Sequence, residues 1–426
     1  MEPEAPPRFA VVVVGVVAGA LLLPAACARP LGSVFDSEPP PIDWVTETCV
    51  EMGGLQPHAP WPMFQRCPSH AGVSPHLGPS VATVRWSEPC NTTLEGFVVA
   101  AGGTIFGCTD EPTTVGARDS VDGARTWTAV PPSGGALYSG FPAIGADGTF
   151  YVATTQGLTA YSISGSLRWF FSHDDQTLSG AIVIDRDELV YVNQSHNRLL
   201  VVTPEGALHR TYDDHNLGDE GLNMLSAYAG LTPDGAVILS GTGHTEDSWG
   251  GSLVLIEPGG YDRLLHFEPE GLLGIPVLDG AGTVFILARD QDESQGGELL
   301  AVSSTGEVLW RTEGVTTDEI APAIGPDGTV YVASGGGESE DSVRAYSPEG
   351  QQLWEHTLPA LPTAHPVVDG AGTVYLGLAN YVVSVGRAGQ RRWTLELDTQ
   401  VPEALALGDD HTLYVQTDTQ LLAIGE

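Results

Sequence analysis

The chain contains no lysine, and basic residues of any kind are scarce. All 17 of them are arginines, against 54 acidic residues in a chain of 426, which gives a formal charge of −37. A surface this acidic repels phosphate backbones, so the composition argues against nucleic-acid binding. It permits binding of cations or of basic partners, although a surface that only keeps the protein soluble has the same composition.

The sequence also lacks the common catalytic signatures. It contains no G-x-S-x-G, no H-E-x-x-H and no P-loop. Its 12 histidines are dispersed, and His244, His365 and His411 could form a site only if the fold brought them together. Nothing in these patterns indicates a particular enzyme.

No apolar run reaches the length of an ordinary membrane span. Phe9 to Leu23 is about 15 residues long, whereas a span needs about 20. The run is followed by Leu23-Pro24-Ala25-Ala26-Cys27, which resembles a bacterial lipoprotein signal, in which the chain is cleaved before the cysteine and the thiol is lipidated. We therefore expect lipidation at Cys27. Ordinary secretion and an uncleaved anchor are the alternatives.

Cysteine is rare, and its placement supports export. Apart from Cys27 there are four, all in the first quarter of the chain: Cys49, Cys67, Cys90 and Cys108. Three pairings are possible, and the local one joins Cys49 to Cys67 and Cys90 to Cys108 across loops of about 18 residues each. A zinc site made of these thiolates is the rival, but no pair has the close spacing that such sites use. The spacing predicts disulfides.

Glycine and proline are abundant, and they organise a repeat. The stretch from Ile320 to Trp354 reads as one four-stranded unit. It comprises a strand at 321–324, a turn at 325–328, a strand at 329–333, a Gly- and acid-rich loop, a strand at 343–346, a turn at 347–350 and a last strand ending at Trp354. The second strand is apolar on both faces, so it is predicted to be buried between two other sheets.

The same unit recurs along the chain. The turns that open the second strands are at 102–103, 147–148, 187–188, 234–235, 281–282, 327–328, 371–372 and 410–411. These eight occurrences are about 39 to 47 residues apart, in the range of propeller blades. Tryptophan marks the outer strand in six units, at Trp86, Trp127, Trp169, Trp310, Trp354 and Trp393, whereas the third and fourth units carry His209 and His266 nearby.

The eighth unit is split between the two ends of the sequence. It stops at Leu421–Glu426, after its third strand, and Ala82–Trp86 is an outer strand with no inner strands before it. Joining the two would give eight complete blades and remove the open strand edges. We therefore predict an all-β, eight-bladed propeller of four-stranded antiparallel blades, with the last blade closed by the N-terminal strand.

The segment before the repeats carries a family resemblance. Trp61-Pro62-Met63-Phe64, followed by His70, Gly72, Ser74 and Gly78-Pro79, resembles the opening of the pyrroloquinoline-quinone-like (PQQ-like) β-propellers. In the catalytic members, the resemblance implies a quinone in the axial channel, held by a Trp floor, arginines, Ca²⁺ ligands and often a vicinal Cys-Cys pair. This sequence has no adjacent cysteines and no arginine cluster. We therefore expect no resident quinone.

Acidic loops are the one further feature that points to a ligand. In consecutive units, the loops expected on the ligand face of a propeller are acidic, and Ca²⁺ prefers carboxylates mixed with backbone carbonyls. These loops predict a weak Ca²⁺ site, or a surface for a basic partner, with Trp249 as a stacking surface. The candidate ligands are Asp290, Asp292, Glu293, Glu338, Glu340 and Asp341. Polar loops that bind nothing are the alternative explanation.

These observations give one interpretation of the whole chain. Residues 1–26 are a signal peptide, 27–60 a Pro-rich tether and 61–426 the propeller. The function expected is a non-catalytic binding or scaffold module, monomeric and held at the bacterial cell envelope by its lipid, on the periplasmic or surface face of the outer membrane. Its partner would be an envelope protein or a basic partner. The alternatives are a PQQ-dependent dehydrogenase and a cation- or glycan-binding surface protein.

Overall fold

The computed structural model describes most of the propeller region. The described residues are 54–132, 140–172, 177–194, 198–213, 228–244, 249–258, 262–269, 271–290, 297–315, 320–335, 340–398 and 400–426. At positions 242–244, 249, 262, 269 and 290 the description covers the backbone only. The expected signal peptide, Cys27 and Cys49 therefore lie outside the described residues, as does most of the expected tether.

Within the described residues the chain forms eight β-sheets, which are the eight blades of a propeller. Strand β1 (Val84–Pro89) comes first in the chain and belongs to blade 8. Blade 1 contains β2 (Val98–Ala100), β3 (Thr104–Phe106), β4 (Val115–Asp119) and β5 (Arg125–Ala129). Strand β6 (Gly140–Phe141) precedes blade 2, which contains β7 (Ala143–Ile144), β8 (Phe150–Thr154), β9 (Gly157–Tyr161) and β10 (Leu167–Phe171).

The next three blades lie in the middle of the sequence. Blade 3 contains β11 (Leu178–Ile184), β12 (Val190–Gln194), β13 (Arg198–Val202) and β14 (Leu208–Tyr212). Blade 4 contains β15 (Ala229–Leu231), β16 (Val237–His244), β17 (Trp249–Ile256) and β18 (Asp262–Pro269). Blade 5 contains β19 (Gly271–Leu273), β20 (Val277–Leu278), β21 (Val284–Asp290), β22 (Gly297–Val302) and β23 (Val308–Val315).

The last three blades complete the ring. Blade 6 contains β24 (Ala323–Ile324), β25 (Val330–Ser334), β26 (Ser342–Tyr346) and β27 (Gln352–Thr357). Blade 7 contains β28 (Val367–Val368), β29 (Val374–Leu378), β30 (Tyr381–Val385) and β31 (Arg391–Glu396). Blade 8 contains β32 (Pro402–Leu407), β33 (Leu413–Thr417), β34 (Gln420–Ile424) and β1. The eight-bladed fold expected from the repeats is confirmed.

Two blades depart from the plain four-stranded pattern. In blade 3, the short strand β6 adds to the inner edge and runs parallel to β11, with Gly140 opposite Gly180. In blade 5 the inner strand is divided, because β19 and β20 both pair with β21. Every other pairing between the described strands is antiparallel, and in the other six blades, apart from β1 and β34, adjacent strands follow one another in sequence.

Blade 6 illustrates why the repeat folds as it does. Gly328 has a φ of 81°, which favours glycine, and the Asp327 carboxylate accepts the N–H of Thr329 at 3.1 Å to close the turn before β25. All five residues of β25 are buried, while β27 alternates between exposed and half-buried positions. The second strand is therefore buried on both faces, as predicted, and the outer strand borders the solvent.

Blade 8 is assembled from both ends of the described chain. Strand β1 pairs with β34, placing Trp86 opposite Ala423 and Pro89 opposite Gln420. The N–H of Gly425 donates to the carbonyl of Thr83 at 2.8 Å, which extends the pairing beyond the strands. The outer strand of this blade thus comes from the N-terminal side of the sequence.

In six blades, a tryptophan of the outer strand joins the blade to the next one, and we call this contact the tryptophan clamp. The indole Nε1–H of an outer strand donates to a backbone carbonyl in the neighbouring turn or lead-in segment, over distances of 2.7 to 3.0 Å. The donor and acceptor pairs are Trp86–Ser120, Trp127–Ile163, Trp169–Pro204, Trp310–Pro348, Trp354–Arg387 and Trp393–Pro79. The ring also packs on a turn glycine: a Cβ on Gly389 would lie 2.9 Å from Cδ2 of Trp354.

Arginine takes the clamp position in the two remaining blades. Trp169 lies opposite Ala160, which is the second-to-last residue of the third strand, β9. The corresponding residues are Arg210, opposite Val201, and Arg263, opposite Leu255. The sequence had pointed to His209 and His266 near this position. The β-bulges in the outer strands set the register, and they bring the arginines to the clamp position instead.

Candidate functional site

We call residues 61–74 the axial segment, because its backbone bonds to the inner edges of several blades. Its carbonyl oxygens accept N–H groups from the inner strands of five blades, each at 2.8 Å. The pairs are Ile144–Pro62, Leu231–Pro68, Leu278–Ser69, Ile324–Ala71 and Val368–Gly72. In blade 1, Trp61 and Val99 exchange both backbone hydrogen bonds. A segment that touches the inner edges of six blades lies on the propeller axis.

Backbone turns and one buried arginine hold the axial segment in place. Gln65, Arg66 and His70 have φ values of 49°, 68° and 57°, so the chain reverses within a few residues. The Arg66 guanidinium donates from Nε to the carbonyl of Pro60 at 3.2 Å and from Nη1 to that of Val73 at 3.3 Å. Burial lowers the pKa of Arg66 to about 10, so the side chain keeps its charge at neutral pH. Arg66 therefore links the residue just before the segment, Pro60, to Val73 near its end.

An aromatic cluster surrounds Phe64 in the axial segment. The Phe64 ring contacts Phe141 at 4.4 Å and Tyr228 at 5.1 Å between centroids. It also meets two imidazoles edge to face, His70 and His365, each at 5.0 Å. Phe141, Tyr228 and His365 come shortly before the inner strands of blades 2, 4 and 7, so the cluster exists only because the ring closes around the axial segment.

Both imidazoles of this cluster are neutral at pH 7. Burial lowers the pKa of His70 to about 4 and that of His365 to about 4. His365 Nδ1 accepts the N–H of Ala321 at 2.9 Å, and His70 Nδ1 lies 3.3 Å from the carbonyl of Pro276. Their ring neighbours are aromatic rather than nucleophilic, which fits packing better than acid–base catalysis.

Carboxylates border the aromatic cluster. The Tyr228 hydroxyl donates to Glu95 Oε2 at 3.2 Å. This bond links the residue before the inner strand of blade 4 to the segment before the inner strand of blade 1. Burial raises the pKa of Glu403, and the negative charges of Asp418 and Glu95 add to this effect, while a hydrogen bond from Gln416 opposes it. We call Glu95, Phe141, Tyr228, His365 and Glu403 the axial site. Aromatic faces beside carboxylates suit an organic cation.

The sequence analysis identified only one member of the axial site. His365 was named there as a histidine that the fold would have to bring to others, and the structure places it against Phe64, which also contacts His70. The side chain of His244 lies outside the described residues. Glu95, Phe141, Tyr228 and Glu403 carry no shared motif and come from four separate repeats. Their common feature is a position close before or at the start of an inner strand, which becomes visible only with the strand boundaries.

The backbone of the axial segment is bonded to the inner strands around the axis, and the Arg66 guanidinium donates to the carbonyl oxygens of Pro60 and Val73. Across the described ranges, no group of three or more His, Cys, Asp or Glu side chains is placed to hold a metal ion.

The predicted calcium ligands fall largely outside the described residues. Asp292, Glu293 and Glu338 lie outside them, and so do the loops that follow β16 and β21. Asp290 ends β21, with its backbone opposite Gly271. Glu340 is exposed, and Asp341 is half-buried and accepts the N–H of Leu358 through its backbone carbonyl at 2.8 Å. Trp249 begins β17. The calcium site stays a prediction.

One disulfide is present in the described region. Cys90 and Cys108 are bonded, with 5.4 Å between their Cα atoms, and this bond belongs to the local pairing. Cys67 is also disulfide-bonded, and its partner lies outside the described residues. The pairing of Cys49 with Cys67 and the lipidation of Cys27 therefore remain predictions. Within the described part of the chain, no helix has the length and apolar character needed to cross a membrane.

Comparisons with known proteins agree with this fold. A family model described as "Outer membrane protein assembly factor BamB" matches residues 266–401 and 339–425. The crystal structure of BamB from Moraxella catarrhalis is 17% identical in sequence, with a TM-score of 0.58. The match covers 81% of this chain and 98% of the BamB chain.

Quinoprotein enzymes are structural neighbours as well. The quinohemoprotein alcohol dehydrogenase ADHIIG from Pseudomonas putida HK5 is 14% identical with a TM-score of 0.63, covering 90% of this chain and 81% of its own. The corresponding enzyme from Comamonas testosteroni is 13% identical with a TM-score of 0.63, covering 90% and 82%. No curated protein sequence matches significantly. The chain thus has the β-propeller fold of these proteins, and its C-terminal repeats match the assembly-factor model.

Proposed function

We propose that this protein is a non-catalytic binding or scaffold module at the bacterial cell envelope, tethered through a lipid on Cys27. The observation that carries the proposal is the axial site, where the Tyr228 hydroxyl donates to Glu95 beside the ring of Phe141. The similarity of residues 266–425 to an outer membrane protein assembly factor supports the same function. Because fold similarity is shared with dehydrogenases, the argument depends on the site.

The partner expected at the axial site is a basic protein segment. Glu95 accepts the Tyr228 hydroxyl, the Tyr228 ring lies 6.4 Å from that of Phe141 between centroids, and the charge of Glu95 acts on Glu403. Aromatic faces next to carboxylates attract guanidinium and ammonium groups. The net charge of −37 strengthens this attraction over a longer range. A basic segment would therefore be drawn to the acidic propeller and held at the axis.

Quinone binding is the first test. The purified protein is mixed with PQQ and Ca²⁺, and the absorbance of the quinone is followed with an alcohol substrate and an artificial electron acceptor. We expect no shift in the quinone spectrum and no reduction of the acceptor. Saturable quinone binding with turnover would contradict the non-catalytic function.

Partner binding is the second test. Intact envelopes are cross-linked with the wild-type protein and with a Glu95→Gln/Glu403→Gln variant. The matched control carries Glu307→Gln and Glu349→Gln, which remove two exposed carboxylates from turns distant from the axial site. We expect a specific cross-linked partner in the wild type and the control, and its loss in the axial variant. Equal capture by all three proteins would contradict recognition at the axial site.

A further inference from the structure

Among the described residues, one junction in the ring lacks the hydrogen bond that closes the others. At the clamp position of blade 3, the Arg210 guanidinium turns along its own strand, where Nη1 donates to the Tyr212 hydroxyl at 3.1 Å. Its central carbon lies 5.6 Å from the centroid of the Tyr212 ring. A cavity of about 400 Å³ lies at the junction between blades 3 and 4, lined by residues that include Tyr191, Tyr212, Leu231 and Pro258. We call it the blade 3–4 groove.

Blade 7 shows the tyrosine–tryptophan contact that blade 3 lacks. There, the Tyr375 hydroxyl donates to Asp369 Oδ2 at 3.2 Å, and the Tyr375 ring lies 5.8 Å from that of Trp393. Blade 3 contains the same pair, since the Tyr191 hydroxyl donates to Asp185 Oδ2 at 2.9 Å. The second-strand tyrosine of a clamp is therefore present in blade 3, but the indole between the blades is replaced by an arginine that points elsewhere.

The neighbouring junction shows that an arginine can close the ring. In blade 4, Arg263 Nη2 donates to the carbonyl of Ser304 at 2.7 Å, which is the turn position that receives an indole N–H in other blades. Gly306 of that turn lies against the carbonyl of Leu265, where a Cβ would be only 2.2 Å from the oxygen. The open groove at blade 3 is therefore a specific feature of Arg210 and not a general result of losing tryptophan.

The charges around the groove favour a basic occupant. Four acidic residues line it, Asp185, Asp187, Asp234 and Glu257, against Arg186, Arg210 and His209. Glu257 also lies 3.7 Å from Arg263, so the carboxylates that face an occupant are chiefly the three aspartates. Asp187 and Asp234 are exposed at the rim, where a neighbouring lysine or arginine could reach them. Trp44 of this same chain is a poorer occupant, because Asp43 and Glu47 beside it would face these carboxylates.

We infer that the blade 3–4 groove is a docking site for the tryptophan side chain of a basic partner segment. The six clamps define the contacts that such a ring makes: stacking near a second-strand aromatic and donation of its N–H to a turn carbonyl. A groove of about 400 Å³ is within the range of about 300 to 1,000 Å³ in which proteins enclose small ligand groups. The inference rests on the proposed function, since it identifies a second surface through which a scaffold holds its partner.

The test uses two short peptides and one variant. Binding of acetyl-Lys-Trp-Lys-amide and acetyl-Lys-Ala-Lys-amide to the full-length protein is measured by NMR titration. We expect the Trp peptide to bind at least about tenfold more tightly, since aromatic contacts add to area burial. Arg210→Trp should fill the groove from within, raise the melting temperature and reduce Trp-peptide binding to the level of the Ala peptide. Arg125→Trp, on an exposed strand away from the groove, is the control.

Each outcome decides the inference. Equal binding of the two peptides, or unchanged binding to Arg210→Trp, overturns it. If the peptide binds only after Trp44→Phe, the groove belongs to the chain's own N-terminal segment, and the inference is also wrong. If Arg210→Trp does not fold, the exposed variant Asp187→Lys replaces it and should weaken binding of the Lys-Trp-Lys peptide. An envelope partner retained by Arg210→Trp in the cross-linking test leaves the proposed function intact while excluding the groove.

Discussion

The indole Nε1–H of Trp393 donates a hydrogen bond to the carbonyl oxygen of Pro79 at 3.0 Å. Trp393 lies in the outer strand of blade 7, and Pro79 lies between the axial segment and β1. Next to Pro79, the N–H of Gly78 donates to Asp369 Oδ2 at 3.2 Å. One clamp thus connects a repeat, the axial segment and the strand that completes blade 8. We therefore expect damage to blade 8 to affect the whole ring.

Removing the end of blade 8 should destroy cooperative folding. Deletion of residues 412–426 takes away β33 and β34, and leaves β1 and β32 as unpaired edges. We expect aggregation or the loss of a single thermal transition, measured by calorimetry and light scattering. Deletion of Glu426 alone is the control and should leave the transition in place. A truncated protein that melts like the wild type would contradict the importance of this closure.

The buried His70 should make stability depend on pH. The side chain is fully buried, and burial lowers its pKa from 6.5 to about 4. Between these values the unfolded chain binds a proton and the folded chain does not. Stability is therefore full above about pH 6.5 and falls as the pH drops toward 4, by roughly 3 kcal/mol for this residue. His365 acts in the same direction.

The His70 effect can be isolated with two asparagine variants. His70→Asn removes the titration, and asparagine tolerates the positive φ of 57° at this position. We expect lower stability at pH 7 but a flatter profile between pH 6.5 and 4 in urea unfolding. His58→Asn is the control, because His58 is exposed and has a similar φ of 62°. Parallel profiles for His70→Asn and wild type would show that His70 does not titrate in this way.

Loss of a tryptophan clamp should destabilise the ring. Trp354→Ala removes the hydrogen bond to the carbonyl of Arg387 at 2.7 Å and the contact with Tyr331 at 5.8 Å. Since the indole is half-buried, we expect a loss of about 2–3 kcal/mol, below the upper end for a fully buried tryptophan. The neighbouring Leu353→Ala changes an exposed side chain and should cost less than about 0.5 kcal/mol. Denaturant unfolding distinguishes the two, and equal losses would contradict the clamp.

The acidic loops should bind Ca²⁺ or a polycation weakly. Repulsion among their carboxylates costs stability that a bound cation relieves, so millimolar Ca²⁺ should raise the melting temperature. A variant with Asp290 and Asp292 as Asn and Glu338 and Glu340 as Gln should lose this response. The control places the same number of amides on other turns, at Asp122, Glu205, Glu307 and Glu349. Identical responses of wild type and loop variant to Ca²⁺ and to a polycationic peptide would leave the loops a solubilising surface.

Lipidation should depend on one thiol. Cys27→Ser is expected to leave the protein unlipidated and to release it from the membrane fraction, because the thiol is the acceptor of the lipid. The measurement is metabolic labelling with a fatty-acid probe, followed by fractionation. Cys90→Ser/Cys108→Ser, which removes the disulfide but keeps Cys27, is the control and should still be labelled. Labelling of Cys27→Ser would exclude the signal as interpreted here.

The repeat was predictable because its signals are local. Turns such as Gly325-Pro326-Asp327-Gly328 and the apolar strands after them determine the blade within a few residues of sequence. Tryptophan was recognisable as a marker of outer strands for the same reason. The clamp residue of blades 3 and 4 was not: the sequence pointed to His209 and His266, and the strand bulges place Arg210 and Arg263 there.

The sequence by itself determined the number of blades, their strands and the residues that mark their edges, since each of these depends on neighbours along the chain. Only the tertiary structure decided that the axial segment lies against the inner strands and that the groove lies between blades 3 and 4. The axial segment is held by backbone N–H groups from blades hundreds of residues apart, and backbone groups leave no mark on side-chain patterns. The axial site and the blade 3–4 groove exist because ring closure brings unrelated side chains together.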